Sequence, residues 1–357
     1  MTPPDRDNET EGEKNMQKNA RRSLLGLAAA ALLAGAAPAA RAAGPVIALS
    51  NAYYGNTWRH QMVQAFQQAA EQAKKQGLIS DYIVLNGDGS VNQQMSQMSD
   101  LILKHVSAIT IDAASNTALN GIIAKACAAG IKVLAFDSIV SAPCADKLDF
   151  DFKNYQAQLT KDVLKLAGDK GNIIVVRGVK GSAPDVDMYT SQMATLKAYP
   201  DVKVVATVYG QATGSVAQAA VANVLPSLPH ISAVLAQGGG DDYGIAQAFE
   251  QFGGPYKNQP PVIAGGGSAN FIHWWAEQAK KHGYETISMN TTPGIGGAAF
   301  WLMLNILKGA TPPKFMVMPV ATVTGANLAS YADMKPGTIV SPSYSDAWVK
   351  EHLLAKH

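Results

Sequence analysis

The stretch that decides the fold is "AITIDAASNTALNGIIAKACAAGIKVLAFDS", residues 108–138. An apolar run (107–112) ends on Asp112. A segment opened by Ser115 and Asn116 then carries apolar residues at helical spacing to a stop at Gly130. A second apolar run (131–137) ends on Asp137 and Ser138. Short runs that are apolar throughout suit strands buried on both faces, and the segment between them reads as the helix that covers one face. The unit is therefore strand, helix, parallel strand, with acids at the carboxyl ends of both strands.

The same unit recurs along the chain. Strands are expected at 45–50, 81–87, 107–112, 131–137, 147–152, 172–178, 203–210, 231–238, 261–266 and 285–290. Between the first two, "TWRHQMVQAFQQAAEQAKKQG" (57–77) places Met62, Phe66, Ala69 and Ala73 on one helical stripe, with Asn56 or Thr57 as cap and Gly77 as stop. So many parallel strands exceed one sheet, which predicts two doubly wound α/β lobes divided near Asp151–Lys153. The stretches 311–315 and 331–348 are rich in turn residues and are expected on the surface or across the hinge.

Residues 1–42 read differently. After a polar start, "MQKNARRSLLGLAAAALLAGAAPAARA" (16–42) has the basic, apolar and small-residue order of a secretory signal peptide, with cleavage expected after Ala42. Arg21-Arg22 also permits twin-arginine export, and Met16 is an alternative start. Export predicts a periplasmic location. Of 29 Lys/Arg and 27 Asp/Glu, six and five fall in this leader, leaving 23 and 22. That balance has no basic stripe, so no nucleic-acid partner is expected. Cys127 and Cys144 are the two cysteines. In an oxidising compartment they are expected as a disulfide contributing roughly 3 kcal/mol by the chain-entropy model; the alternative is two small buried side chains. No metal site is expected beside them.

In doubly wound sheets, ligands bind beyond the carboxyl ends of the strands. There this chain carries Asn56, Trp58 and Arg59, then Asp112, Asp137, Asp185 and Asp187, and finally Asn270 and Asn290. Carboxylates and amides pair with neighbouring hydroxyls, and an aromatic face covers a C–H surface, so the set suits a sugar or polyol. Each residue taken singly also reads as a helix cap, a turn former or a packing residue. "QGGGDDYG" (237–244) is a loose dinucleotide fingerprint, but its two acids would repel a pyrophosphate, and no acid ends the next strand. No cofactor is expected. No nucleophile elbow or metal-spaced His pair occurs, so no enzyme is expected; a glycan-processing enzyme is the weaker alternative.

"IALSNAYYGNTWRHQMVQAFQQAAE" (47–71), the stretch 108–138 and "ISAVLAQGGGDDYGIAQAF" (231–249) resemble the periplasmic sugar-binding proteins of bacterial ABC importers, in the ribose-binding-like cluster. The resemblance spans the chain after the leader. It implies the type I periplasmic binding protein fold, two Rossmann-like lobes joined by a three-strand hinge. The lobes would be 43–152 completed by about 292–318, and 153–291 completed by about 319–357. It implies a monomer that delivers a small polyhydroxy ligand to an ABC transporter permease; a sensory module presenting the same ligand to a membrane receptor or kinase is the alternative. It turns Asn56, Trp58, Arg59, Asp112, Asp137 and Asn290 toward the ligand. Ser138 stands where many ribose binders carry Arg, Val186 and Asp187 lie where another Arg is usual, and Asn270 replaces a later Asp. Those departures argue against ribose and toward a neutral or cationic polyhydroxy ligand.

Overall fold

The computed structural model describes residues 44–238 and 240–355, so the leader reading and its signal peptide lie outside the described residues. The chain begins with β1 (Val46–Asn51), α1 (Thr57–Lys75), β2 (Asp81–Asn86), α2 (Val91–Leu103), β3 (Ala108–Asp112), α3 (Asn120–Ala128), β4 (Lys132–Phe136) and β5 (Asp146–Phe150). These strands form a parallel sheet in the order β5-β4-β3-β1-β2. β1 and β3 are central and buried, which is why their sequences are apolar without alternation. α1 starts where the Asn56 side chain accepts the Arg59 N–H (2.8 Å) and ends at Gly77, whose φ is +67°. α3 begins five residues later than its sequence suggests. Ser115 Oγ accepts the Thr117 and Ala118 N–H groups, and Asn116 O accepts Ser141 N–H, so 115–119 is spent on a turn.

After β5 come α4 (Phe152–Leu166), β6 (Gly171–Arg177), α5 (Ala183–Leu196), β7 (Val202–Tyr209), α6 (Gly214–Val224), β8 (Ile231–Ala236), α7 (Asp242–Phe252), β9 (Val262–Ile263), α8 (Ala269–His282) and β10 (Ser288–Asn290). β7-β6-β8-β9 make the second parallel sheet. Asp151 was expected inside a strand and instead caps α4, accepting Asn154 N–H. The stretch 261–266 yields only two strand residues. Its glycines serve close approach: a Cβ on Gly265 would meet the Ser288 Cβ at 2.5 Å.

α9 (Ile295–Leu307) returns to the first lobe and packs on α1 and β4. Ile295–Ile306 is buried all round, so it shows no amphipathic stripe. A Cβ on Gly296 would sit 2.2 Å from Met62 O, and glycine lets the two helices touch there. Two further strands then follow, in sequence for which no strand is expected. β11 (Phe315–Met318) adds to β5 as a parallel edge, and β12 (Ala321–Val323) pairs antiparallel with β10. Pro312 and Pro313 precede β11 and so cost its ladder nothing. The last stretch departs from the expected assignment of 319–357 to the second lobe. Ser341 Oγ accepts Gly294 N–H, Asp346 accepts from Asn305, and Tyr344, Val349 and Leu353 are buried at this end of the chain. Residues 341–354 thus close over the first lobe, because α9 is apolar on every side. The tail therefore adds a further pass between the lobes to those at 150–152, 290–295 and 318–321.

Cys127, at the end of α3, is bonded to Cys144 in the loop after β4, with Cα atoms 6.5 Å apart. The bridge ties down the segment that begins at Asp137. Replacing both cysteines by Ser lowers stability by about 3 kcal/mol in urea unfolding, and an unchanged midpoint would contradict a bridge in the native protein.

Asp149 lies on β5 at the crossing to the second lobe and is 7% exposed. Burial pushes its carboxyl up to about 8, helped by Asp137, Asp187 and Asp151 and opposed by the Phe150 N–H bond. The unfolded carboxyl ionises near 4. The stability tied to its protonated form is complete below that value and is lost as pH rises toward 8. Asp149→Asn therefore gains Tm relative to the wild type between pH 5 and pH 9. A constant offset across that range would contradict the shift.

Candidate functional site

Because β1, β3 and β4 are adjacent and parallel, their carboxyl ends bring Asn51, Asp112 and Asp137 into one row; Asn51 and Asp112 are partners in register. Arg59, on the first turn of α1, lies across that row. Its guanidinium contacts Asp112 Oδ2 through Nη1, and Nη1 also donates to Asn51 Oδ1 (3.1 Å). Nη2 reaches Asp137 Oδ2 and Ser138 Oγ, each at 3.5 Å. Arg59, Asp112 and Asp137 are all buried. Burial works against charge on both sides: it lowers the Arg59 pKa, which Asp137 partly restores, and raises that of Asp137, which Arg59 partly opposes. Asp137 has φ +57°, a left-handed conformation that Asp tolerates, and it turns the carboxylate off the strand end toward Arg59.

The facing wall belongs to the second lobe. Arg177 grips Asp185 with two bonds, Nε to Oδ1 (2.9 Å) and Nη2 to Oδ2 (2.8 Å). Its guanidinium is sandwiched by the rings of Tyr189 (4.1 Å) and Tyr209 (4.8 Å). Gln237, after β8, accepts Gly178 N–H (2.7 Å) and donates to Asp185 O (3.2 Å), which locks the loop after β6. Between the walls lies a cavity of about 70 Å³ lined by Asn56, Trp58, Arg59 and Asp137 on one side and Asp185 and Gln237 on the other.

The sequence-derived residues thus separate. Asn56, Trp58, Arg59 and Asp137 line the cavity. Asp112 stands behind Arg59 and anchors it, so it is not among the lining groups. Asp187 does not line the cavity either: it pairs with Lys153 (3.3 Å) and is half-exposed, because α5 turns it away while Asp185 faces inward. Asn270 accepts Gly337 N–H and holds the tail. Asn290 donates to Thr291 O (2.9 Å) and Val340 O (2.8 Å) and so ties two crossing segments together. From sequence, Asp185 and Asp187 stand on equal terms and Gln237 is not singled out. The signal for Asp185 was local: Ser182 caps α5 by accepting Asp185 N–H, and that fixes the acid in the first turn. Asp241 and Asp242 of "QGGGDDYG" are buried, and Asp242 is taken up by Gly266 N–H and by Ser268. Among the described residues, no three His, Cys, Asp or Glu gather as a metal site, and no helix is long and apolar enough to cross a membrane.

Comparison with known proteins gives the family and the fold. The periplasmic binding protein domain matches residues 47–311. An ABC transporter solute-binding protein of Thermobispora bispora is 38% identical, with 86% of this chain and 94% of that one covered and a TM-score of 0.81. A solute-binding protein of Bacillus halodurans with bound myo-inositol is 19% identical, covers 81% and 98%, and shares the fold with a TM-score of 0.70. A xylitol-binding protein of Mycolicibacterium smegmatis is 28% identical over 47% of this chain and 49% of its own length. The multiple sugar-binding periplasmic receptor ChvE of Rhizobium radiobacter is 28% identical over 50% and 56%. The chain thus spans about half the length of the curated relatives it matches. These relatives are solute-binding proteins, not enzymes. With two parallel-sheet lobes and a polar cavity between them, the chain belongs to the periplasmic binding protein domain family and has the type I fold.

Proposed function

We propose that the protein captures a small sugar or polyol between its lobes in the periplasm and delivers it to an ABC transporter permease. The observation that carries this reading is the row Asn56, Arg59 and Asp137, facing Asp185 and Gln237 across one small cavity. The groups differ in what they have left to offer. Asp185 has both oxygens engaged by Arg177, and Gln237 uses both ends of its amide on the protein. Asp137 meets Arg59 only at 3.5 Å and keeps acceptor capacity for hydroxyl donors. Asn56 spends its oxygen on the cap of α1 and keeps its NH₂. Trp58 presents a ring whose Nε1–H is fixed on Thr291 O (2.9 Å). Acceptors, donors and an aromatic face at this spacing suit adjacent hydroxyls on a short carbon skeleton. A cavity of about 70 Å³ is too small for an oligosaccharide and admits a monosaccharide-sized guest only if the lobes part around it. Relatives named for xylitol and for multiple sugars point the same way. The match to a periplasmic receptor supports a second reading, in which the loaded protein signals to a membrane receptor.

A thermal-shift panel of xylitol, myo-inositol, D-allose, D-ribose and D-galactosamine tests the ligand class. At a hundred times its Kd, a ligand of the native state adds about 2.7 kcal/mol of stability. At least one neutral polyol or amino sugar should raise Tm, and Asp137→Asn should weaken that ligand about tenfold or more in calorimetry. A panel without any shift, or a bound sugar recovered chemically altered, would overturn the proposal.

A further inference from the structure

Gln61 lies on α1 one turn beyond Trp58, and its amide plane faces the backbone of Ile339 in the tail. Its Nε2 donates to Ile339 O (3.0 Å), and its Oε1 accepts Ile339 N–H (2.9 Å). The opposite edge of the same short strap belongs to the second lobe. Thr338 O accepts Ala269 N–H (2.8 Å), and Val340 N–H donates to Gly267 O (2.8 Å), so Ile339 bridges Ser268 in antiparallel register. Residues 338–340 are therefore an extended segment with one edge on each lobe. On the first-lobe edge, one side-chain amide takes the place of a neighbouring strand, supplying a donor and an acceptor in a single plane. Ile339 is 1% exposed, so neither bond can be exchanged for water without moving the strap. The adjoining pass is tied to the same helix, since Trp58 Nε1–H donates to Thr291 O and Asn290 joins Thr291 O to Val340 O.

We propose that Gln61 is a positioning residue for ligand capture: by gripping Ile339 it holds the wall that carries Trp58 and Arg59 against the second lobe, and so sets the balance between open and closed lobes. The inference rests on the lobes closing around a ligand, and it concerns a residue that need not touch that ligand. Losing the grip leaves the cavity groups in place and lowers the closed population. Apparent affinity then falls in proportion to that population, while the chemistry of recognition is unchanged.

Small-angle X-ray scattering on the ligand-free protein tests this without knowledge of the ligand. Gln61→Met keeps the volume and removes both bonds, and it should shift the radius of gyration upward. Where xylitol binds the wild type, its Kd should weaken about tenfold. Gln61→Glu supplies a second readout. A protonated carboxyl has the same shape as the amide and again offers one donor and one acceptor, whereas the ionised form only accepts and repels Ile339 O. Lys335 and Tyr331 line one pocket with Gln61, and Tyr54, His60 and Tyr344 line another with it; none of them is hydrogen-bonded to its amide. Gln61→Glu should thus approach the wild type as pH falls below about 4, where an ordinary carboxyl is protonated, and open near pH 7.5. A role limited to stability would lower Tm in both variants and leave the radius of gyration equal to that of the wild type at each pH; that result would overturn the proposal. A failure of xylitol to bind bears on the ligand reading alone and leaves the scattering result standing.

Discussion

The constraint on which the site depends is a guanidinium held out of water between two carboxylates. Isolated burial of Arg59, Asp112 or Asp137 would each cost several kcal/mol, and their mutual attraction offsets this only when the geometry is held. Asn51 Oδ1 and Ser138 Oγ take up further N–H groups, and the row of strand ends keeps the acceptors at fixed spacing. The result is a wall whose polar groups hold one another in alignment. Such alignment lowers the ordering cost of binding in general.

The second lobe repeats this logic with different parts. Arg177 neutralises Asp185 and is itself packed between two tyrosine rings, so the acid on that side is a rigid surface and not a free charge. Of the carboxylates at the cavity, Asp137 alone is loosely paired, at 3.5 Å from its cation. The crossing segments carry the remainder. Asn290, Trp58 and Gln61 knit Thr291, Ile339 and Val340 into one hydrogen-bonded seam, of which Trp58 and Thr291 also line the cavity.

How much of this was legible in the sequence depended on whether a residue's role is local. Strands β1, β3 and β4 and helix α1 announce themselves through burial on both faces, through an apolar stripe and through caps, and the acids at the strand ends follow from that reading. α9 was illegible as an amphipathic helix because it is buried all round, and β11 because it is an edge strand made by tertiary pairing with β5. Asp185 and Asp187 cannot be told apart from sequence because both follow the same strand, and only the turn of α5 decides which one faces the cavity. Asn290 is ambiguous from sequence, as any polar residue at a strand end is until its partners are seen; its NH₂ goes to the carbonyls of Thr291 and Val340. Gln61 carries no sequence signal, since its partner lies 278 residues away.

The central claim, that buried Arg59 organises the ligand wall by pairing with Asp112 and Asp137, is tested most directly by a charge-removal series followed by urea unfolding and ligand calorimetry. Arg59→Met alone should cost about 3–5 kcal/mol, because it strands buried carboxylates, and it should abolish capture. Adding Asp112→Asn should return much of the stability and none of the binding. If Arg59→Met instead unfolds at the wild-type urea midpoint and binds as tightly as the wild type, the guanidinium is incidental and the account fails.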